Sequence, residues 1–316
     1  MNKRILVAEI SGKRPGGVKA RPTEGHTISY DKVIISNNSD DYETEWEIVN
    51  VPQGYVEWYK ANFKTSESAW YAPMNRSYAI KYARERGYDY LVQLDDNITK
   101  LEISYMIHDA DGVTRRYRSV NKPGMMDDYI EMLALVLENT SAAMAGCSLR
   151  GGTIPEEKFL AERYCYSLFA LDLSCCADVF HGDFEDDIEY RLKLAELGLP
   201  AVMVVPLRYS KTGQRSAKDE TGNRAAYTAA GVKRGEHMRI LHGDVYSCGL
   251  SKKTASTMAK EVEGGVFKHV IKPFKLGVWV YGKEPMERKM AEIFEKYAHP
   301  TPDKYILKGK PRKDVS

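Results

Sequence analysis

An α/β fold, with a mostly parallel sheet flanked by helices and a C-terminal irregular or α+β extension, is predicted by three observations. Apolar runs such as "RILVAEI" (4–10), "YDYLVQLDD" (88–96) and "PAVMVVPLRY" (200–209) are continuous rather than alternating, the pattern of strands buried on both faces. Stretches with helical spacing lie between several of them, which favours parallel strands joined by crossovers. After about residue 210 the composition turns polar, Gly-containing and basic, and the regular alternation stops.

The elements follow in order. Strands are expected at 4–10, 32–38, 46–52, 88–96, 141–149, 165–173 and 200–209. A helix over 74–87 places Tyr78, Ile80, Tyr82 and Ala83 at roughly helical spacing and ends at Gly87, a good residue just past a helix C-terminus. A second over 125–140 gathers Ile130, Leu133, Ala134 and Leu137 on one face. A third over 185–198 aligns Ile188, Leu192, Ala195 and Leu199 and stops at Gly198. The domain reading is a catalytic unit over 1–210, an extension over 211–300 packed on it that binds the acceptor, and a basic, partly disordered tail over 301–316.

Bulk properties exclude several classes. With 43% hydrophobic and 28% charged residues in 316, the chain has the composition of a soluble globular protein. The five cysteines show neither CxxC pairing nor zinc spacing, so reduced, mostly buried thiols of a cytosolic protein are expected. "MNKRILVAEI" reads as a first strand rather than a signal peptide. No run approaches the roughly 18 apolar residues of a membrane helix. A cytoplasmic location follows, that of the host cell if the chain is phage-encoded.

Two acidic clusters carry the chemistry. "LDDN" sets Asp95, Asp96 and Asn97 where a buried strand stops, the end at which open α/β sheets bind ligands. An ordinary strand-end turn is the competing reading, since Asp and Asn favour turns. "HGDFEDDIE" sets Asp183, Glu185, Asp186 and Asp187 just before and inside the first turn of the third helix, with Glu189 following. Capping and the helix dipole account for one or two of these acids. The rest repel one another unless a cation, a base or a proton relieves them.

The strings "APMNRSYAIKYARERGYDYLVQLDDNI" and "FEDDIEYRLKLAELGLPAVMVVPLRY" resemble the nucleotide-sugar glycosyltransferases of the GT-A fold, over roughly residues 1–210. "LDDN" with "SKTGQ…TGNRAAYTAAG" is similar to the TET-associated glycosyltransferases of bacteriophages, which act on 5-hydroxymethylcytosine in DNA. The resemblance implies a Rossmann-like GT-A sheet, a UDP-sugar donor and a divalent metal (Mn²⁺ or Mg²⁺). The activity implied is hexosyl or pentosyl transfer to a hydroxyl, with phage DNA as the acceptor. It also implies roles: Asp95 on the donor ribose side, Asp96 and Asn97 at the metal, and Arg76 directed toward the donor. Asp187 would be the general base, with Asp186 beside it, and His242 would complete the metal shell, with His181 its rival. Asn97 departs from the family's DxD pattern, in which the third position is an acid.

Other features fit the same site. Gly12, Gly16 and Gly17 permit close backbone approach after the first strand, and Lys13 and Arg14 are phosphate-seeking charges; a solvated turn is the alternative. The formal net charge is only +2, but basic residues crowd the C-terminal third, among them Lys211, Lys268, Lys272 and Lys275. Such asymmetry suits docking on a polyanion. Two other functions are compatible with the residues: a nucleotidyltransferase on a similar scaffold, and a non-catalytic DNA-binding protein.

Overall fold

The computed structural model describes residues 3–11, 27–37, 44–63, 71–108, 114–150, 159–181, 185–211, 235–251, 266–271, 275–298 and 310–311. A ten-stranded sheet forms the centre, in the order β3 (Glu47–Asn50), β2 (Asp31–Ser36), β1 (Ile5–Ser11), β4 (Tyr90–Asp95), β9 (Leu168–Asp172), β7 (Met144–Leu149), β10 (Ala201–Lys211), β5 (Ile98–His108) and β6 (Thr114–Val120). The short β8 (Leu160–Ala161) also pairs with β10. Strands β3, β2, β1, β4, β7, β10 and β6 share one direction, and β9, β5 and β8 run against it. The expected α/β class, a mostly parallel sheet flanked by helices, is the observed one.

Alternation along each strand sends side chains to two separate cores. On one face Ile5, Val7, Val92 and Leu94 meet α3 (Met125–Asn139) and α6 (Glu284–Tyr297). On the other, Leu6, Ala8, Leu91 and Phe169 meet α1 (Gln53–Phe63), α2 (Tyr71–Glu85) and α4 (Asp186–Glu196). A third, small cluster joins Ile188 and Leu192 of α4 to Met238 of α5 (Glu236–His242) and Tyr246 of β11 (Tyr246–Ser251). Strand β11 pairs antiparallel with β12 (Val266–Ile271). Helix α4 is therefore packed between the sheet and the C-terminal extension.

The two glycine stops act as expected. Gly87 and Gly198 have φ of 70° and 76°. After them the Tyr88 N–H donates to the Ala83 carbonyl at 3.1 Å and the Leu199 N–H to the Leu194 carbonyl at 2.8 Å, closing each helix in a left-handed cap.

The differences are local. Helix α2 begins at Tyr71, three residues before the expected start. Strand β4 ends at Asp95, and Asp96 and Asn97 form the turn that follows. Helix α1 and strands β5 and β6 are additional. The extension holds more regular structure than expected: α6 lays Met286, Met290, Ile293 and Phe294 into the same core as α3. Of the tail, only β14 (Lys310–Pro311) falls among the described residues, paired with β13 (Trp279–Val280).

Candidate functional site

The chain leaves β1 for β2 on one side, while β4 lies on the other side of β1, so the β1/β4 boundary is the switch point where open α/β sheets take ligands. Ser11, the last residue of β1, donates from Oγ to Asp96 Oδ2 at 2.7 Å across that boundary. Asn75 of α2 closes the same edge, its Nδ2 donating to the Ser11 carbonyl at 2.8 Å and to Asn37 Oδ1 at 3.2 Å. Among the described residues the amide oxygen Oδ1 of Asn75 is buried without a hydrogen-bond partner, and so is Asn97 Oδ1.

Arg76 ties the two acidic clusters together. Helix α2 leads back into β4, so its first turns lie at the carboxyl ends of the strands. From there Arg76 donates from Nη2 to Asp95 Oδ1 at 2.5 Å and from Nε to Asp186 Oδ2 at 3.0 Å. Its Nη1 reaches Gln93 Oε1 at 3.3 Å, and Gln93 returns a bond to the Arg76 carbonyl at 3.0 Å. Phe169 and Phe180 pack around the guanidinium, at 5.4 and 5.9 Å from their ring centroids. Burial alone lowers the Arg76 pKa; Asp95, Asp186 and Asp187 more than offset it and hold the charge.

The three acids differ in state because their surroundings differ. Burial pushes Asp95 up, but Arg76, Lys211 and the Ser167 hydroxyl bring it below its ordinary value, so it is an anion. Asp186 stays raised, burial and the Asp95 charge outweighing Arg76. Asp187 is raised well above the carboxylate range, first by burial and then by Asp186 and Glu185; Lys211 and Arg76 only partly compensate. Its Oδ1 accepts the Ile188 N–H at 2.8 Å. A buried carboxyl of raised basicity beside a charged one is an arrangement used for proton transfer.

His242 is brought to a different place. Its Nε2 faces Glu189 Oε1 at 3.1 Å and its Nδ1 faces Glu196 Oε1 at 2.7 Å, so α5 is braced against α4. His181 lies at the same carboxylate, 3.5 Å from Glu189 Oε1. Both ring nitrogens of His242 thus meet carboxylates of α4. Gly12, Lys13 and Arg14 lie outside the described residues, as do Lys272 and the basic segment 212–234.

The brace has a pH window. Glu189 is brought down to about 2 despite burial, by hydrogen bonds from His181 and His242. A depressed carboxyl stabilises the fold above its unfolded pKa, near 4.5, and that contribution is lost as pH falls toward 2. Burial lowers His242, but Glu189 and Glu196 raise it above 6.5 overall, so its contribution is full below 6.5 and lost as pH rises through the folded value. Stability is expected to be greatest between those limits, with the pH dependence on both sides flattened in His242→Gln. An unchanged profile of melting temperature against pH would refute the brace.

Among the described residues no three or more His, Cys, Asp or Glu side chains are grouped to hold a metal ion. The donor type nevertheless fits a hard divalent cation. Asp96 offers a carboxylate, and Asn97 offers a buried oxygen with no hydrogen to satisfy it. Mg²⁺ is commonly held by one or two protein oxygens with substrate phosphates completing the shell.

No family model and no curated protein sequence matches the chain. Solved structures give distant likenesses. Glucosyl-3-phosphoglycerate synthase from Mycobacterium tuberculosis, in complex with Mn²⁺, UDP and phosphoglyceric acid, is 10% identical over 87% of this chain and 89% of that one, with a TM-score of 0.44. Its complex with Mg²⁺ and UDP gives 12% identity over the same shares and a TM-score of 0.44. A protein assigned as a nucleotide-diphospho-sugar transferase from Desulfovibrio desulfuricans G20 is 14% identical over 76% of this chain and 99% of that one, with a TM-score of 0.34. Likeness at this level carries no conclusion about this chain's chemistry. No helix among the described residues is long and apolar enough to cross a membrane.

Proposed function

We propose that the chain is a glycosyltransferase that moves a sugar from a nucleoside-diphosphate sugar, a UDP-sugar, to a hydroxyl acceptor. The observation that carries this reading is the Asp95–Arg76–Asp186 bridge, which joins the strand-end acids to the acid-bearing helix at the switch point. An anionic, oxygen-rich edge for the donor then lies beside a basic carboxyl for the acceptor. The acceptor oxygen attacks the anomeric carbon, the bond from that carbon to the diphosphate oxygen breaks, and Asp187 takes the hydroxyl proton. Asp96 and Asn97 would hold a divalent cation, which would supply charge neutralisation for a departing diphosphate. His242 and Glu189 keep α4, and with it Asp187, in place.

The test is incubation with a panel of sugar nucleotides and hydroxyl acceptors. 5-Hydroxymethylcytosine DNA forms one arm, on the strength of the "LDDN" resemblance and the basic C-terminal third. Release of nucleoside diphosphate with a glycosylated product is the expected result. Release of pyrophosphate from a nucleoside triphosphate would replace this reading with nucleotidyl transfer.

Asp96→Ala is expected to remove the stimulation of UDP binding by Mn²⁺, about tenfold or more if one charged contact is lost. Calorimetry with and without Mn²⁺ measures it. Equal stimulation in wild type and variant would move the cation elsewhere.

A further inference from the structure

Lys211 has no role in the bridge between the two acidic clusters, yet three features of the backbone deliver it there. Strand β5 begins at Ile98, three residues after β4 ends, but pairs with β10 rather than with β4. The register pairs Lys211 with Ile98, so the end of β10 is drawn to the end of β4. The same ladder slips between Ser210 and Lys211, an irregularity of the kind that re-aims a side chain beside a site. Opposite it, Ser167 has φ of 53°, unusual for a residue with a side chain. Its carbonyl accepts the Asp95 N–H at 2.9 Å and its hydroxyl accepts from Lys211 Nζ at 2.8 Å.

Among the described residues the ammonium is not saturated there. It carries three hydrogens; one goes to Ser167, and Asp95 Oδ2 is 3.5 Å away, longer than a good hydrogen bond. Asp95 is already neutralised by Arg76 through its other oxygen. The Lys211 side chain keeps 28% of its surface exposed, whereas that of Arg76 keeps 5%. One cation is thus buried as structure, and the other faces outward at the same carboxylate.

We propose that Lys211 is an anion-binding residue of this site, its ammonium turning from Asp95 to the diphosphate of the donor. It rests on the donor reading above only for the nucleoside; the anion contact is a property of Lys211 itself. Ser167 holds the side chain in both states, and Asp95 loses little because Arg76 remains.

Calorimetry with inorganic pyrophosphate, UDP and uridine, at low and moderate salt, tests this on the full chain. Lys211→Met is expected to weaken pyrophosphate and UDP about ten- to a hundredfold and to reduce the salt dependence of both, with uridine unchanged. Lys211→Arg keeps the charge and should stay within a few-fold of wild type, which separates anion binding from damage to the fold. If wild type binds pyrophosphate but no nucleotide, and Lys211→Met loses that binding, the donor reading fails and the lysine assignment stands. Unchanged pyrophosphate and UDP affinity in Lys211→Met would overturn the assignment, as would a wild type that binds neither anion.

Discussion

Replacing Asp187 by Asn is expected to slow sugar transfer by about 10²–10⁴-fold, the usual cost of losing a general base, while the protein becomes no less stable. The two effects share one cause. Burial, Asp186 and Glu185 raise the Asp187 carboxyl well above its unfolded value. A raised carboxyl opposes folding at every pH above its unfolded pKa, because the folded state must either retain the proton or hold a buried charge. Asn removes that penalty and preserves the shape, so at neutral pH the melting temperature should hold or rise. Donor and acceptor affinities should stay within a few-fold of wild type. Near-normal turnover in Asp187→Asn would move the base to Asp186 or to the donor phosphate. A fall in stability would make Asp187 a structural acid.

Arg76→Met should act in the opposite sense, on the fold itself. The Arg76 side chain is 5% exposed and neutralises Asp95 and Asp186 together. Breaking a buried ion pair from one side costs about 3–5 kcal/mol, since the partners are left desolvated. Chemical denaturation should therefore show a large drop in midpoint. Asp95 should lose most of its depression, so the loss of stability with falling pH that this depressed carboxyl gives the wild type should be flattened in the variant. Arg76→Lys should recover little, because one ammonium cannot reproduce contacts made by Nε, Nη1 and Nη2. A loss under about 1 kcal/mol would mean that the bridge is solvated and weak.

Much of this site was legible because its residues sit where periodicity breaks. Asp95 and Asp186 stand at the point where a buried strand stops and where a helix opens, and composition alone marks both. The bond joining them through Arg76 was not legible, since it depends on α2 being antiparallel to β4. Lys211 was hidden for a similar reason. In sequence it is one basic residue of many, and only the β5–β10 pairing brings it to Asp95. Strand β5 did carry a period-two signal in Leu101, Ile103 and Tyr105. That signal follows directly on the acidic turn. Helix α6 was readable from Met286, Met290, Ile293, Phe294 and Tyr297, at helical spacing inside a charge-rich stretch. The role of His242 was the least legible, because a histidine beside two glutamates in space has no trace in linear order.

The packing of α6 on α3 bears on how the polypeptide emerges from the ribosome. Asp128 of α3 is buried and receives Lys289 Nζ at 2.7 Å and the Tyr297 hydroxyl at 2.5 Å, both from α6. Until those residues are synthesised, α3 carries a carboxylate that it cannot bury cheaply, beside an uncovered apolar face. One half of the sheet must then wait in a partly open state while the other, closed by α1, α2 and α4, can settle. A nascent chain stalled before Glu284 would present that open face to chaperones and to its own neighbours on a polysome.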